Sequence, residues 1–286
     1  LGLAIVQINF WVNIGLASGM VEGSVGALQR AFMVLLLPQG LIAQSVATAV
    51  FPTFAAQAAR EDTGALRQTL GAVLRAVLFL SIPATVGLIL LRVPVIRLIF
   101  EHGQFTPLDT QATAWALLFY GLGLAAHALV EIVTRAFYAL HDTRTPVLVG
   151  GGAMLLNILL SLLLIRVIGQ PASLAQGPFA GLALANTLAT TLEGLALLWL
   201  ITPRVGGLEG RRMLNGTLRA GAASAVMGVL LWLGIPRFEG FGPVLSPLVA
   251  IAAGGAVFWG AAWLLRSEEA HLFSGIALRR LRRGRS

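Results

Sequence analysis

The sequence is dominated by long apolar runs, each close to the length that an α-helix needs to cross a membrane. About 20 helical residues span the roughly 30 Å hydrocarbon layer, where every backbone polar group must find its partner within the segment. We therefore predict an all-α integral membrane protein with about eight transmembrane helices. The predicted spans are Leu1–Ala17, Ala27–Ala56, Leu66–Leu91, Ala112–Leu140, Pro146–Ile168, Phe179–Ile201, Leu214–Ile235 and Leu245–Leu265.

The composition supports this prediction and excludes several classes of function. Hydrophobic residues make up 57% of the chain and charged residues only 11%, whereas charged residues are about a quarter of a soluble domain. The absence of cysteine excludes disulfides and thiolate metal sites. The absence of lysine excludes a phosphate-binding loop that ends in that residue. Four scattered histidines form no metal-binding motif, so we expect no metal, no cofactor and no catalytic residue.

The basic residues are unevenly distributed between the two sets of connections. All twenty are arginines, and fifteen of them lie in one set of connections or in the C-terminal tail. Arginine accumulates on cytoplasmic loops, so this set is predicted to be cytoplasmic, and an even number of spans then places both chain ends there. The same rule explains the net charge of +8 without a nucleic-acid partner. Because the chain opens on Leu1 within an apolar run, we expect it to be a piece of a longer protein.

Polar side chains inside the fourth span are the first candidates for a functional site, because such groups are costly in lipid and tend to face a cavity. His127, Glu131 and Arg135 follow one another at intervals of four residues, which places them on one helix face. One interpretation is a polar stripe that lines a transport cavity. The other is a structural ladder in which Glu131 and Arg135 neutralise each other.

Other spans carry similar groups. Asn186 and Glu193 lie on nearly the same face of the sixth span, and Glu193 has no basic residue within a helical turn. Asn9 and Asn13 share a face of the first span. These residues either line the same cavity or form hydrogen bonds between helices.

Several short motifs follow one another along the chain: Gly23-Ser24-Val25, Leu37–Gly40, Ala49–Thr53, Leu98–Phe105, Tyr120–Leu124, Arg135–Ala139 and Asp142–Pro146. Their order resembles that of the MurJ/MviN family of lipid II flippases, within the multidrug/oligosaccharidyl-lipid/polysaccharide (MOP) exporter superfamily.

The resemblance implies an architecture of two six-helix lobes across a central cavity, followed by two extra helices. Residues 1–202 resemble the second lobe, and the first lobe would be a missing N-terminal partner. Residues 203–270 resemble the extra pair, which in the family helps to form a groove for the lipid tail. Residues 271–286 form either a basic amphipathic segment on the cytoplasmic membrane surface or a solvated tail.

One position departs from the family pattern. The resemblance implies a cavity arginine where this chain has Met33, and Arg30 lies three residues earlier. Arg30 is expected either to reach the same cavity or to extend toward water at the membrane interface.

The resemblance implies a bacterial inner-membrane transporter and not an enzyme. It would flip a polyprenyl-diphosphate-linked saccharide, lipid II foremost, across the cytoplasmic membrane by alternating access. Its partners would be membrane lipid, the lipid-linked peptidoglycan precursor and the first lobe. The alternatives are an exporter of another lipid-linked glycan or of a drug, and a non-transporting scaffold for envelope assembly.

Overall fold

The computed structural model describes residues 11–238, 240, 242–271 and 274, and these residues are almost entirely helical. The described part of α1 covers residues 11–18. The remaining helices are α2 (Ser24–Gln39), α3 (Ser45–Ala59), α4 (Thr63–Leu90), α5 (Arg92–Phe100), α6 (Pro107–Leu122), α7 (Leu124–Ala139), α8 (Arg144–Leu164), α9 (Ala180–Arg204), α10 (Gly210–Phe238) and α11 (Gly242–Leu264).

Polar residues in the connections set where several helices begin. Asp62 accepts a hydrogen bond from the backbone N–H of Ala65 at the start of α4. Thr106 and Asp109 form a reciprocal capping box ahead of α6, with Pro107 at the first helical position. These caps confirm that the polar breaks in the sequence are helix boundaries.

Among the described residues, six helices are long and apolar enough to cross a membrane, and the bent pair α6–α7 makes a seventh. The span that α2 and α3 form runs unbroken from Ser24 to Ala59 and is longer than predicted at both ends. Most of the predicted span Leu1–Ala17 lies outside the described residues. The count of eight therefore stays a prediction.

The fourth predicted span is not one continuous helix. It breaks at Gly123, and its halves α6 and α7 meet at a bend of 47°. A Cβ atom at Gly123 would lie 2.7 Å from Thr187 Oγ1 and 3.3 Å from Thr187 Cα, so the close approach of α9 requires glycine. The short helix α5, which follows α4 directly, was also absent from the prediction.

A π-helical turn covers Gly40–Gln44 between α2 and α3, shortly after Pro38. The span nevertheless buries one continuous stripe of residues along its length. The stripe consists of Ala27, Ala31, Leu35, Gln39, Ala43 and Ala47.

The helix α8 shows how the bundle is oriented toward lipid. Leu148, Leu155 and Leu159 are between 60% and 74% exposed, whereas Asn157 and Ser161 on the opposite side are at most 1% exposed. This distribution reverses that of a soluble protein, and it identifies the leucine face as the face in contact with acyl chains.

The helices α10 and α11 pack together and against α4 and α5. Phe79 of α4 lies 5.0 Å from Phe258 of α11, measured between ring centroids. At one end of this contact, Arg75 of α4 pairs with Glu269, with 3.7 Å between its Nε and the carboxylate.

A polar cavity between helices as the candidate functional site

A cavity of about 1090 Å³ opens on one side of the bundle, between α1, α2, α7, α8 and α9. Its apolar lining is interrupted by hydroxyl, amide, imidazole and carboxylate groups. The polar lining residues are Asn13, Gln29, Tyr120, His127, Glu131, Thr134, Tyr138, Asn157, Asn186, Thr190 and Glu193. The structure thus brings together five of the predicted site residues: Asn13, His127, Glu131, Asn186 and Glu193.

His127 and Asn186 meet at the inner part of this cavity. The imidazole Nε2 and the amide Oδ1 are 3.2 Å apart, which joins α7 to α9. Phe32 packs edge-on against both Tyr120 and His127, at 5.4 and 6.5 Å between ring centroids. The aromatic side chains fix the imidazole in place and leave it beside the cavity.

Glu131 takes part in both of the arrangements that its spacing predicted. Arg135 Nη2 donates a hydrogen bond to Glu131 Oε1 at 3.0 Å, as in a structural ladder. Glu131 also lines the cavity, whereas Arg135 is not among the lining residues. The ion pair therefore supplies a polar but locally neutral patch at the cavity wall.

Three polar side chains join α1 to α8. Asn13 Nδ2 donates to Asn157 Oδ1 at 3.4 Å, and Ser161 Oγ donates to Asn13 Oδ1 at 3.5 Å. Asn157 is only 1% exposed, and within the described residues its Nδ2 has no hydrogen-bond partner. Asn9, the other candidate on this helix, lies outside the described residues.

Glu193 approaches the cavity from α9, opposite a glycine of α8. A Cβ atom at Gly150 would lie 3.3 Å from Glu193 Oε1, so the glycine provides the space that the carboxylate occupies. Within the described residues, Glu193 makes no ion pair or hydrogen bond. The two observations leave this carboxylate open to the cavity.

The structure corrects the placement of Arg30. Its guanidinium carbon lies 4.9 Å from the ring centroid of Phe105, in the connection between α5 and α6, and it attracts Asp109. Arg30 is not among the cavity-lining residues, whereas Met33 is. Of the two positions expected for Arg30, the cavity is therefore not the one observed, because the aromatic ring and the carboxylate hold the guanidinium at the end of the bundle.

Thr134 and Tyr138 also line the cavity but were not predicted. Both extend the stripe of His127 and Glu131 along the same face of α7, at seven and eleven residues from His127. The helical period alone would have identified them.

A similar bundle of bent apolar helices is found in solved membrane transporters. An outward-facing multidrug resistance MATE transporter of the MOP superfamily superposes with a TM-score of 0.57 over 95% of this chain and 64% of its own, at 17% identity. A family model described as "Lipid II flippase MurJ" matches residues 1–251. The chain belongs to the MurJ family.

Individual members agree with this assignment. The chain is 31% identical over 237 residues to the probable lipid II flippase MurJ of Vibrio cholerae, and 36% identical over 172 residues to the lipid II flippase MurJ of Thermosipho africanus. These matches cover 81% and 60% of this chain, and 42% and 33% of the relatives. A solved MurJ in an inward closed conformation superposes with a TM-score of 0.74 at 29% identity, covering 98% of this chain and 52% of its own. The chain spans about half the length of these relatives.

Proposed function

We propose that this chain is the second lobe of a lipid II flippase, together with its two additional helices, and that it forms one wall of the transport cavity. The observation that carries the proposal is the open, polar cavity between α2, α7 and α9 in a member of this family. Polar groups are costly within a membrane unless they serve a pathway or pair with one another. Lipid II carries a large polar headgroup on a polyprenyl diphosphate, so a polar cavity of this size suits it.

A second feature supports a long-chain lipid as the substrate. A wholly apolar groove of about 300 Å³ lies between α4 and α10, lined by Val86, Ile89, Leu90, Gly228 and Trp232 among others. One side of the groove is formed by α10, which supports the assignment of residues 203–270 to lipid-tail binding, with residues 1–202 forming the lobe. The headgroup would cross through the cavity while the tail stays in the apolar layer.

The distribution of arginines supports an inner-membrane location with the richer side in the cytoplasm. At one end of the bundle, five arginines each form a hydrogen bond or an ion pair with another residue. They are Arg67, Arg75, Arg204, Arg212 and Arg219. Under the positive-inside rule we propose that this end faces the cytoplasm, and with the predicted even number of spans both ends of the chain would lie there.

The test is complementation by the full-length protein that contains this chain, in a strain depleted of its own lipid II flippase. Ala153→Trp places an indole in the cavity, whereas Gly152→Trp places the same group where no atom lies within 4 Å of the added Cβ. We expect Gly152→Trp to support growth and Ala153→Trp to abolish it, at equal membrane levels. Normal growth with Ala153→Trp would contradict a transport role for the cavity.

A further inference from the structure

The charge of the cavity wall bears on which part of a substrate this lobe contacts. The lining residues in the described part of the chain include two carboxylates, Glu131 and Glu193, and no arginine. Arg135 neutralises Glu131 at 3.0 Å. The remaining acidic group on the wall is Glu193, so the described lining residues offer no cation to a substrate.

A wall without an arginine is a poor surface for a diphosphate. Proteins bind phosphate groups with guanidinium forks or helix N-termini, and an unpaired carboxylate nearby repels them. The only arginine of α2, Arg30, stacks over Phe105 at 4.9 Å instead of lining the cavity. The diphosphate must therefore be held by groups outside this wall.

The uncharged groups of the wall indicate a ligand rich in hydroxyls and amides. Asn157 Nδ2 is a buried donor without a partner within the described residues, on a side chain that is only 1% exposed. Because an unpaired buried donor is unfavourable, a ligand acceptor that reaches it strengthens binding. Asn186 and Thr190 add further donors and acceptors on the facing helix.

From these observations we infer that this wall binds the saccharide and peptide portion of the headgroup, and that Glu193 binds an ammonium group on it. The inference rests on the proposed function and specifies it further. Gly150 leaves the carboxylate accessible, and an ammonium ion is the substrate group whose charge complements it. A free monovalent cation has the same chemistry, and the experiment separates the two sources.

The experiment measures binding of two lipids to the full-length protein in nanodiscs. One is lipid II with a free side-chain amine in its peptide, and the other is the same lipid with that amine acetylated. We expect acetylation to weaken binding to the unmodified protein about tenfold, in line with the loss of one charge-assisted contact. Glu193→Gln should bind the free-amine lipid as weakly as the acetylated one, and Glu61→Gln, at an exposed turn, should behave as the unmodified protein.

The possible outcomes separate this inference from the proposed function. Equal binding of both lipids by the unmodified protein overturns the ammonium contact and leaves the flippase proposal intact. An equal loss of both lipids in Glu193→Gln also overturns it, because a contact with a free cation, unlike one with the amine, does not depend on acetylation of the lipid. Binding of neither lipid by the unmodified protein contradicts the proposed function itself. Glu193→Asp, which keeps the charge, is expected to retain part of the preference if Glu193→Gln fails to fold.

Discussion

Thr187 Oγ1 of α9 donates a hydrogen bond of 2.7 Å to the backbone carbonyl of Phe119, at the end of α6. In a continuous helix this carbonyl would accept from the N–H of Gly123, but that N–H bonds to Tyr120 instead. The neighbouring helix thus supplies the partner that the bend removes, which is how membrane proteins tolerate broken helices.

We predict that Thr187→Val destabilises the protein by about 1–2 kcal/mol, because it removes the donor while keeping the shape of the side chain. Thr191→Val is the matched control, since Thr191 donates to the Thr187 carbonyl within its own helix. Thermal unfolding in detergent measures the stability of both variants. Equal stability of the two would show that the bend does not depend on this contact.

The connection between α7 and α8 gives a prediction about pH. The hydroxyl and the backbone N–H of Thr145 donate to Asp142, and Arg204 lies beside the carboxylate, which together lower the pKa of Asp142 to about 2. A carboxyl with a lowered pKa contributes stability above its unfolded value of 3.8, and this contribution is lost as the pH falls toward 2.

Asp142→Asn should therefore lower the unfolding temperature at neutral pH. The difference in unfolding temperature between the variant and the unmodified protein should shrink between about pH 4 and pH 2. Glu22→Gln, at an exposed position outside this connection, should track the unmodified protein throughout. A difference that stays constant to pH 2 would mean that Asp142 acts through geometry and not through its charge.

Two ion pairs near the ends of α10 and α11 test whether burial or distance determines how much an ion pair contributes to the stability of the protein. Arg75 and Glu269 are 3.7 Å apart with side chains 15% and 7% exposed. Arg212 and Glu268 are closer, at 2.7 Å, but each is more than half exposed. We expect Arg75→Met to cost about 3 kcal/mol, because it leaves Glu269 buried and unpaired, and Arg212→Met to cost little.

Tryptophan fluorescence can follow the unfolding of both variants, since Trp259 and Trp263 lie on α11. The reverse order of stability would show that the pairs act by proximity alone.

Arg30→Met is predicted to loosen the connection that carries Phe105 without weakening lipid II binding. The contact over the ring contributes about 0.5–1 kcal/mol, so amide exchange at residues 102–105 should rise about two- to fivefold. Arg166→Met, an exposed arginine outside this connection, is the control. Unchanged exchange combined with lost lipid binding would instead make Arg30 a substrate ligand.

The lack of cysteine in the chain permits a direct test of topology. Single cysteines at Thr63 and Thr143 should react only with reagents that enter the cytoplasm, and one at Gln104 should react from outside. All three positions are exposed in the structure. The opposite labelling pattern would overturn the orientation inferred from the arginines.

The apolar spans and the composition of the cavity could be predicted from sequence because both depend on local rules. Continuous hydrophobic runs give helices in lipid, and the four-residue spacing of His127 and Glu131 places both on the cavity face. The break at Gly123 could not be predicted, because no proline marks it and its cause is a contact with Thr187, 64 positions away in the sequence. The sequence could not decide between the two positions expected for Arg30 for a similar reason, since the observed one depends on the ring of Phe105 in a distant connection.

The π-helical turn at Gly40–Gln44 has a consequence for how the longest span keeps its orientation. Its buried residues recur at every fourth position from Leu35 to Ala47, but an α-helix turns about 100° per residue, so each step of four overshoots by about 40°. Uncorrected, the stripe would wind steadily around the helix. A π-helical turn contains more residues than an α-helical turn, so each of its residues rotates the chain by less than 100°. The smaller rotation offsets the drift and keeps the buried stripe on one side of the span. The length of this segment is thus constrained independently of its composition: removing one residue would rotate everything after it by about 100° and direct Phe54 toward lipid.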